Sequence, residues 1–135
     1  MPSVQYIAKT IVTARDAIAS LVRWKITLLT ATRMREPLSE RATRSIVRTD
    51  ECSIGQWLLS RHTLSLRNAP EYRAALDRHI EFHHEMQTIA RLVNAGDYAA
   101  AERLLDTPGS FEKSANAVAN AIMALERVPA GKLAS

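Results

Sequence analysis

Residues 70–94 read PEYRAALDRHIEFHHEMQTIARLVN, and the spacing inside this stretch decides the fold. Apolar side chains recur at Tyr72, Leu76, Phe82, Met86, Ile89 and Val93, the three-and-four period of one helix face. Pro70 suits a first helical turn, where an N–H is not needed, and Gly96 just beyond Asn94 is a stop signal. The stretch therefore predicts a long amphipathic helix over 70–94. Three of the four histidines in the chain lie within it. His79 follows Leu76 by three, His83 follows His79 by four, and Met86 follows His83 by three, so His79 and His83 share the core-facing stripe. His84 aligns instead with Asp77, Glu81, Thr88 and Arg91 on the solvated face.

Toward the N-terminus, Ile7, Ile11, Ala14, Ile18, Leu21 and Leu28 keep helical spacing. They predict one long helix from 3 to about 32, with Ser3 as its cap. Glu36-Pro37 breaks it. A short helix is expected over 39–47 and another over 53–60, SIGQWLLS. Ile46 and Val47 are apolar residues that can form a dimer seam or fill the loop beneath Cys52. Toward the C-terminus, Asp97 caps a short helix, YAAAERLL. DTPGS is a turn, and Pro108 or Ser110 opens a last helix to about 127, with Phe111, Val118, Ile122 and Leu125 facing inward. The tail from about 128 is expected to fray. No alternating strand pattern competes. The expected architecture is all-α: a single domain over 1–135, an antiparallel four-helix-bundle-like fold with short extra helices.

Composition narrows the class. The 135 residues are 47% hydrophobic and 24% charged with a net charge of +4, ordinary for a globular chain. Basic residues are interleaved with acidic ones and no aromatic residues alternate with them, so the charge does not point to nucleic acid. No apolar run is long enough to span a membrane and the start lacks a signal-peptide pattern, so a cytoplasmic protein is expected. The single cysteine, Cys52, excludes an intramolecular disulfide.

Two histidines at i, i+4 can place two imidazole nitrogens on one ion. Two inward histidines also need polar partners, since each costs roughly 1–3 kcal/mol if left unsatisfied. Cys52 ends a polar loop just before the short helix in DECSIGQWLL. A thiolate with two imidazoles suits Zn(II) best. Hydrogen-bonded core histidines and a small buried cysteine are the alternative.

ECSIGQWLL resembles the Cys-x-x-Gly-x-Trp segment of chemoreceptor zinc-binding (CZB) domains. HIEFHH resembles the segment of that family in which a second His follows the first by four, and VRWK resembles its first-helix segment. The order and spacing agree across nearly the whole chain. The resemblance implies a cytoplasmic four-helix-bundle domain that binds one Zn(II) through three His and one Cys. It also implies regulation of a chemoreceptor or diguanylate cyclase, often as a homodimer. By position, Cys52, His79 and His83 inherit ligand roles, and Gly55 and Trp57 structural ones. The family's first histidine falls three residues before Trp24, and here that position is Leu21, which cannot ligate. The expected site is degenerate, with three protein ligands and either a water in the fourth position or sub-stoichiometric zinc. His62, Asp50 and Glu51 are the candidate replacements. No output domain follows within the 135 residues: either the domain stands alone and acts through a partner or a bound ligand, or it is a piece of a longer protein.

The expected function is a regulatory zinc-binding domain, responsive to metal or to oxidation at Cys52, with no catalytic role. A hydrolytic zinc site lacks a general base, because Glu81 and Glu85 point away from the inward face. A phosphotransfer bundle with His84 as acceptor lacks the Lys and Gly expected after that histidine. A di-iron bundle needs more ligands than four histidines supply here. A helical interaction module without metal remains the alternative.

Overall fold

A computed structural model describes residues 12–106 and 108–129. Among these residues there are six α-helices, one 3₁₀ helix and no strand: α1 (Ala14–Met34), α2 (Glu40–Val47), α3 (Ser53–Leu58), the 3₁₀ turn (Arg61–Leu66), α4 (Pro70–Asn94), α5 (Tyr98–Leu105) and α6 (Ser110–Glu126). The all-α bundle expected from the sequence is what folds. Its long members number three, α1, α4 and α6, and the short helices close the remaining sides. The broadest interface is between α4 and α6, and α1 packs on α3, α5 and α6.

The first helix begins later than its apolar period suggests. Ser3 and residues up to 11 lie outside the described residues, and Val12 and Thr13 are not helical. Thr13 is the N-cap: its side chain accepts from the Asp16 N–H, and the Asp16 carboxylate accepts from the Thr13 N–H at 3.0 Å. This reciprocal capping box fixes the helix start and overrides an apolar period that runs straight through it. Asp97 caps α5 as expected, whereas Ser39, expected inside the short helix, is the N-cap of α2. Helix α3 is shorter than expected, and the residues after it form the 3₁₀ turn, which the sequence reading missed. At the C-terminus, Val128 is half-buried against the core and its N–H donates to the Leu125 carbonyl at 3.1 Å. This residue of the expected frayed tail is held, and residues beyond 129 lie outside the described residues.

Helix α4 is the spine. It buries Tyr72, Ala75, His79, Phe82, His83, Met86, Ile89, Ala90 and Val93 along one stripe. Leu76 is only half-buried, because the stripe runs through Ala75 and Ala90, small residues that let neighbouring helices approach. Phe82 packs against Phe111 of α6 with ring centroids 5.4 Å apart. All four inward residues expected on α6 are buried. Side chains fasten the short pieces to the spine. The Tyr72 and Thr63 hydroxyls both donate to the Leu58 carbonyl at the end of α3, each at 2.7 Å. At the other end of α4, the Asn94 Oδ1 accepts from the Leu38 N–H at 2.8 Å. On α1, the buried Ser20 and Thr32 hydroxyls donate to carbonyls of the preceding turn, and so a polar residue can face the core.

Candidate metal centre

Cys52 is the N-cap residue of α3, and helical spacing places His79 and His83 on one face of α4. Their packing brings three donors together. The Cys52 Sγ lies 3.0 Å from the His79 Nε2 and 3.3 Å from the His83 Nε2. All three residues are buried, at 7%, 3% and 1% exposure. Among the described residues this is the group of His, Cys and carboxylate side chains whose geometry can hold a metal ion, with all ligand atoms within 4.8 Å of one another. The two imidazole rings stand nearly perpendicular, at 82°, with centroids 4.6 Å apart.

The surroundings set the roles of the nitrogens. The His83 Nδ1 lies 2.7 Å from the Ile46 carbonyl. A carbonyl only accepts, so Nδ1 carries the hydrogen and the Nε2 lone pair of the neutral ring points at the sulfur. A metal-binding histidine is commonly held in place by such a bond from its other ring nitrogen, which fixes the tautomer and the ring orientation. It also makes Ile46 part of the site. Ile46 is 1% exposed while its neighbour Val47 is 61% exposed, so of the two only Val47 remains a candidate for an outer seam.

Gly55 explains the turn before α3. A Cβ at this position would run into the Thr49 carbonyl oxygen, so only glycine lets the 49–52 loop fold over the helix start. That fold carries Cys52 toward α4. The Gly55 N–H reaches the Cys52 Sγ at 3.5 Å. Trp57, at 5% exposure, belongs to the core beneath it.

Burial governs the protonation states. It raises the Cys52 thiol above its ordinary value, against the opposing pull of the Gly55 and Ile54 N–H groups. It lowers His79 to about 3, with His83 nearby adding to the effect. Burial lowers His83 too, opposed by its bond to Ile46. At neutral pH the metal-free site therefore holds a thiol and two neutral imidazoles. The thiol can donate to the His83 Nε2 while the His79 Nε2–H donates to the sulfur.

The geometry also fits a metal. Zinc–nitrogen bonds of about 2.0–2.1 Å and a zinc–sulfur bond of about 2.3 Å put tetrahedral N and S donors about 3.5 Å apart. The observed separations are a few tenths of an ångström smaller, a difference side-chain rotation can supply. Leu21 is buried but lines a cavity with Phe111 and Ala115 rather than the one at Cys52. The replacement candidates do not complete the set. His62 is exposed on the 3₁₀ turn. Asp50 and Glu51 both pair with Arg48 at 3.3 Å, although Glu51 borders the same cavity as Cys52. His84 faces solvent, as its place on the helix predicts.

Comparison with family models, with curated proteins and with solved structures found no match for this chain, so the reading of the site rests on its own geometry. No helix among the described residues is long and apolar enough to cross a membrane.

Proposed function

We propose that this chain is a regulatory zinc-binding domain of bacterial signalling, of the chemoreceptor zinc-binding type. Zn(II) is held by Cys52, His79 and His83, and the family's first histidine is replaced by Leu21. The observation that carries this reading is the convergence of two buried Nε2 atoms on one buried Sγ. Bound zinc would tie the start of α3 to the middle of α4, two segments 27 residues apart in sequence. Its loss would free the Cys52 loop while leaving the α4–α6 interface in place, so a local change in metal becomes a change in the surface around α2 and α3. Oxidation of Cys52 acts on the zinc-bound thiolate. Without metal the buried, protonated thiol is a poor nucleophile. The partners are a second copy of the chain and a chemoreceptor or diguanylate cyclase.

The test is zinc content by mass spectrometry on protein purified without chelator or metal-affinity tag. The expected result is about one zinc per chain, because three protein ligands can hold zinc with one position left open. Cys52→Ser should lower zinc affinity more than about a hundred-fold, since even outer-shell partners are worth ten- to a hundred-fold. Unchanged affinity in that variant removes Cys52 from the ligand set. A chain that binds no zinc until Leu21→His supplies the missing ligand is instead a disabled site, and its bundle works through protein contact.

A further inference from the structure

Helix α1 buries Ala14, Ala17, Leu21 and Leu28 in the core, yet it carries a second apolar row. Arg15, Ile18, Val22, Ile26, Leu29 and Arg33 follow one another at steps of three and four. On a helix these six positions fall within about 80° of the circumference. Val22 is 61% and Ile26 58% exposed. Ile18 and Leu29 are half-buried, and both arginines are exposed. From Arg15 to Arg33 the row is about 27 Å long, at about 1.5 Å of rise per residue. Two hollows lie along it. One of about 370 Å³ sits beside Ile18 and Val22, walled by Ala115 and Ala119 of α6. The other, of about 350 Å³, sits beside Ile26 and Met34. A single exposed apolar side chain is ordinary. A row at this spacing, beside hollows, has the form of a seam for another helix.

The charges around the seam decide what covers it. Arg15 and Arg33 close its two ends, and Arg23 is exposed at its side. None of these three arginines forms an ion pair among the described residues. Lys25, on the other side, pairs with Glu112 of α6 at 3.5 Å. Asp16, the one acid in α1, is engaged in the helix cap. A second copy of the chain fits this surface poorly. Antiparallel pairing about the middle of the row sets Arg15 of each copy against Arg33 of the other, and parallel pairing sets each arginine against its own equivalent. A bilayer also fits poorly, because a broad apolar face covers at least about 100° of a helix, and here arginine ends the row on the apolar line itself. We propose that the outer seam of α1 docks an amphipathic helix of another protein, one whose apolar row is flanked by Asp or Glu. The apolar row of that helix fills the two hollows, and its carboxylates pair with Arg15, Arg23 and Arg33. The docking needs no metal, so it stands or falls apart from the zinc-site reading.

The test uses the full chain and a synthetic three-heptad helix with leucine at the a and d positions and glutamate at e and g. A control peptide carries lysine at e and g. Calorimetric titration should show saturable binding of the glutamate peptide at micromolar concentrations, and binding of the lysine peptide at least about ten-fold weaker. In the Val22→Ser, Ile26→Ser double variant, affinity for the glutamate peptide should fall at least about ten-fold, with helicity, urea midpoint and zinc content unchanged. No binding of the glutamate peptide, equal binding of the two peptides, or full affinity in the double variant overturns the inference. Binding to phosphatidylglycerol vesicles in place of the peptide, lost in the same variant, makes the seam a membrane surface and overturns it. Self-association in sedimentation that the variant abolishes makes a second copy the occupant, and overturns it as well.

Discussion

At the scale of single residues, the site depends on a side chain that is missing. Gly55 has no Cβ, and the Thr49 carbonyl oxygen occupies the space a Cβ would fill. Gly55→Ala sets two effects against each other. Alanine gains up to about 1 kcal/mol in helix propensity, while forcing backbone apart costs about 1–3 kcal/mol. The clash should win, with a lower urea midpoint, and weaker zinc binding should accompany it because the same shift withdraws Cys52 from α4. A midpoint equal to or above that of the parent would mean the loop can relax without moving the sulfur. The buried imidazoles give a second prediction, for the metal-free protein. The folded state holds His79 neutral down to about pH 3, whereas the unfolded chain protonates it near pH 6.5. Between those values the unfolded state binds more protons, so stability is full above about pH 6.5 and falls as the pH drops. The loss reaches up to ~1.4 kcal/mol per pH unit for this residue. His83, also depressed, acts in the same direction. Urea unfolding of chelator-treated protein at pH 7 and about pH 5 measures the slope, and His79→Gln should flatten it.

At the scale of elements, short polar signals set where helices begin and apolar stripes set which way they face. The start of α1 shows the difference. Its apolar spacing runs on without a break toward residue 3, yet Thr13 and Asp16 stop it with two reciprocal hydrogen bonds. Thr13→Ala should cost about 1 kcal/mol of stability, read as a drop in the urea midpoint. An Asp16→Ala change on the same background should add less than it does alone, because the two side chains form one unit. Additive losses would show two independent caps. Helix α3 is the opposite case. At six residues it is too short to be stable alone. It stands because Tyr72 and Thr63 bind the Leu58 carbonyl at one end and the 49–52 loop packs over the other. The element that carries Cys52 is thus held by tertiary contacts, and that suits it to move when a metal binds or leaves.

At the scale of the whole molecule, zinc should behave as a crosslink between α3 and α4. A ligand at about a hundred times its dissociation constant adds ~2.7 kcal/mol to the folded state. For a domain of this size that raises the melting temperature on the order of 10 °C. Calorimetry with and without a chelator measures it. A melting temperature indifferent to zinc would mean that the triad serves the core and not a metal. Much of this organisation was legible in the sequence. The spacing of residues 70–94 determined the spine of the bundle and which two of its three histidines turn inward, because helical geometry converts sequence distance directly into direction. The inner face of α6 and the cap at Asp97 were legible for the same local reason. The 3₁₀ turn and the brevity of α3 were not, since the Leu58 carbonyl that ends α3 is bound by the Tyr72 hydroxyl of α4, a contact no local pattern encodes. Two things were decided only by the tertiary structure: the approach of the Cys52 sulfur to both imidazoles and the Ile46 carbonyl that fixes the His83 tautomer. Each joins segments tens of residues apart, and such distances are set by packing rather than by spacing along the chain.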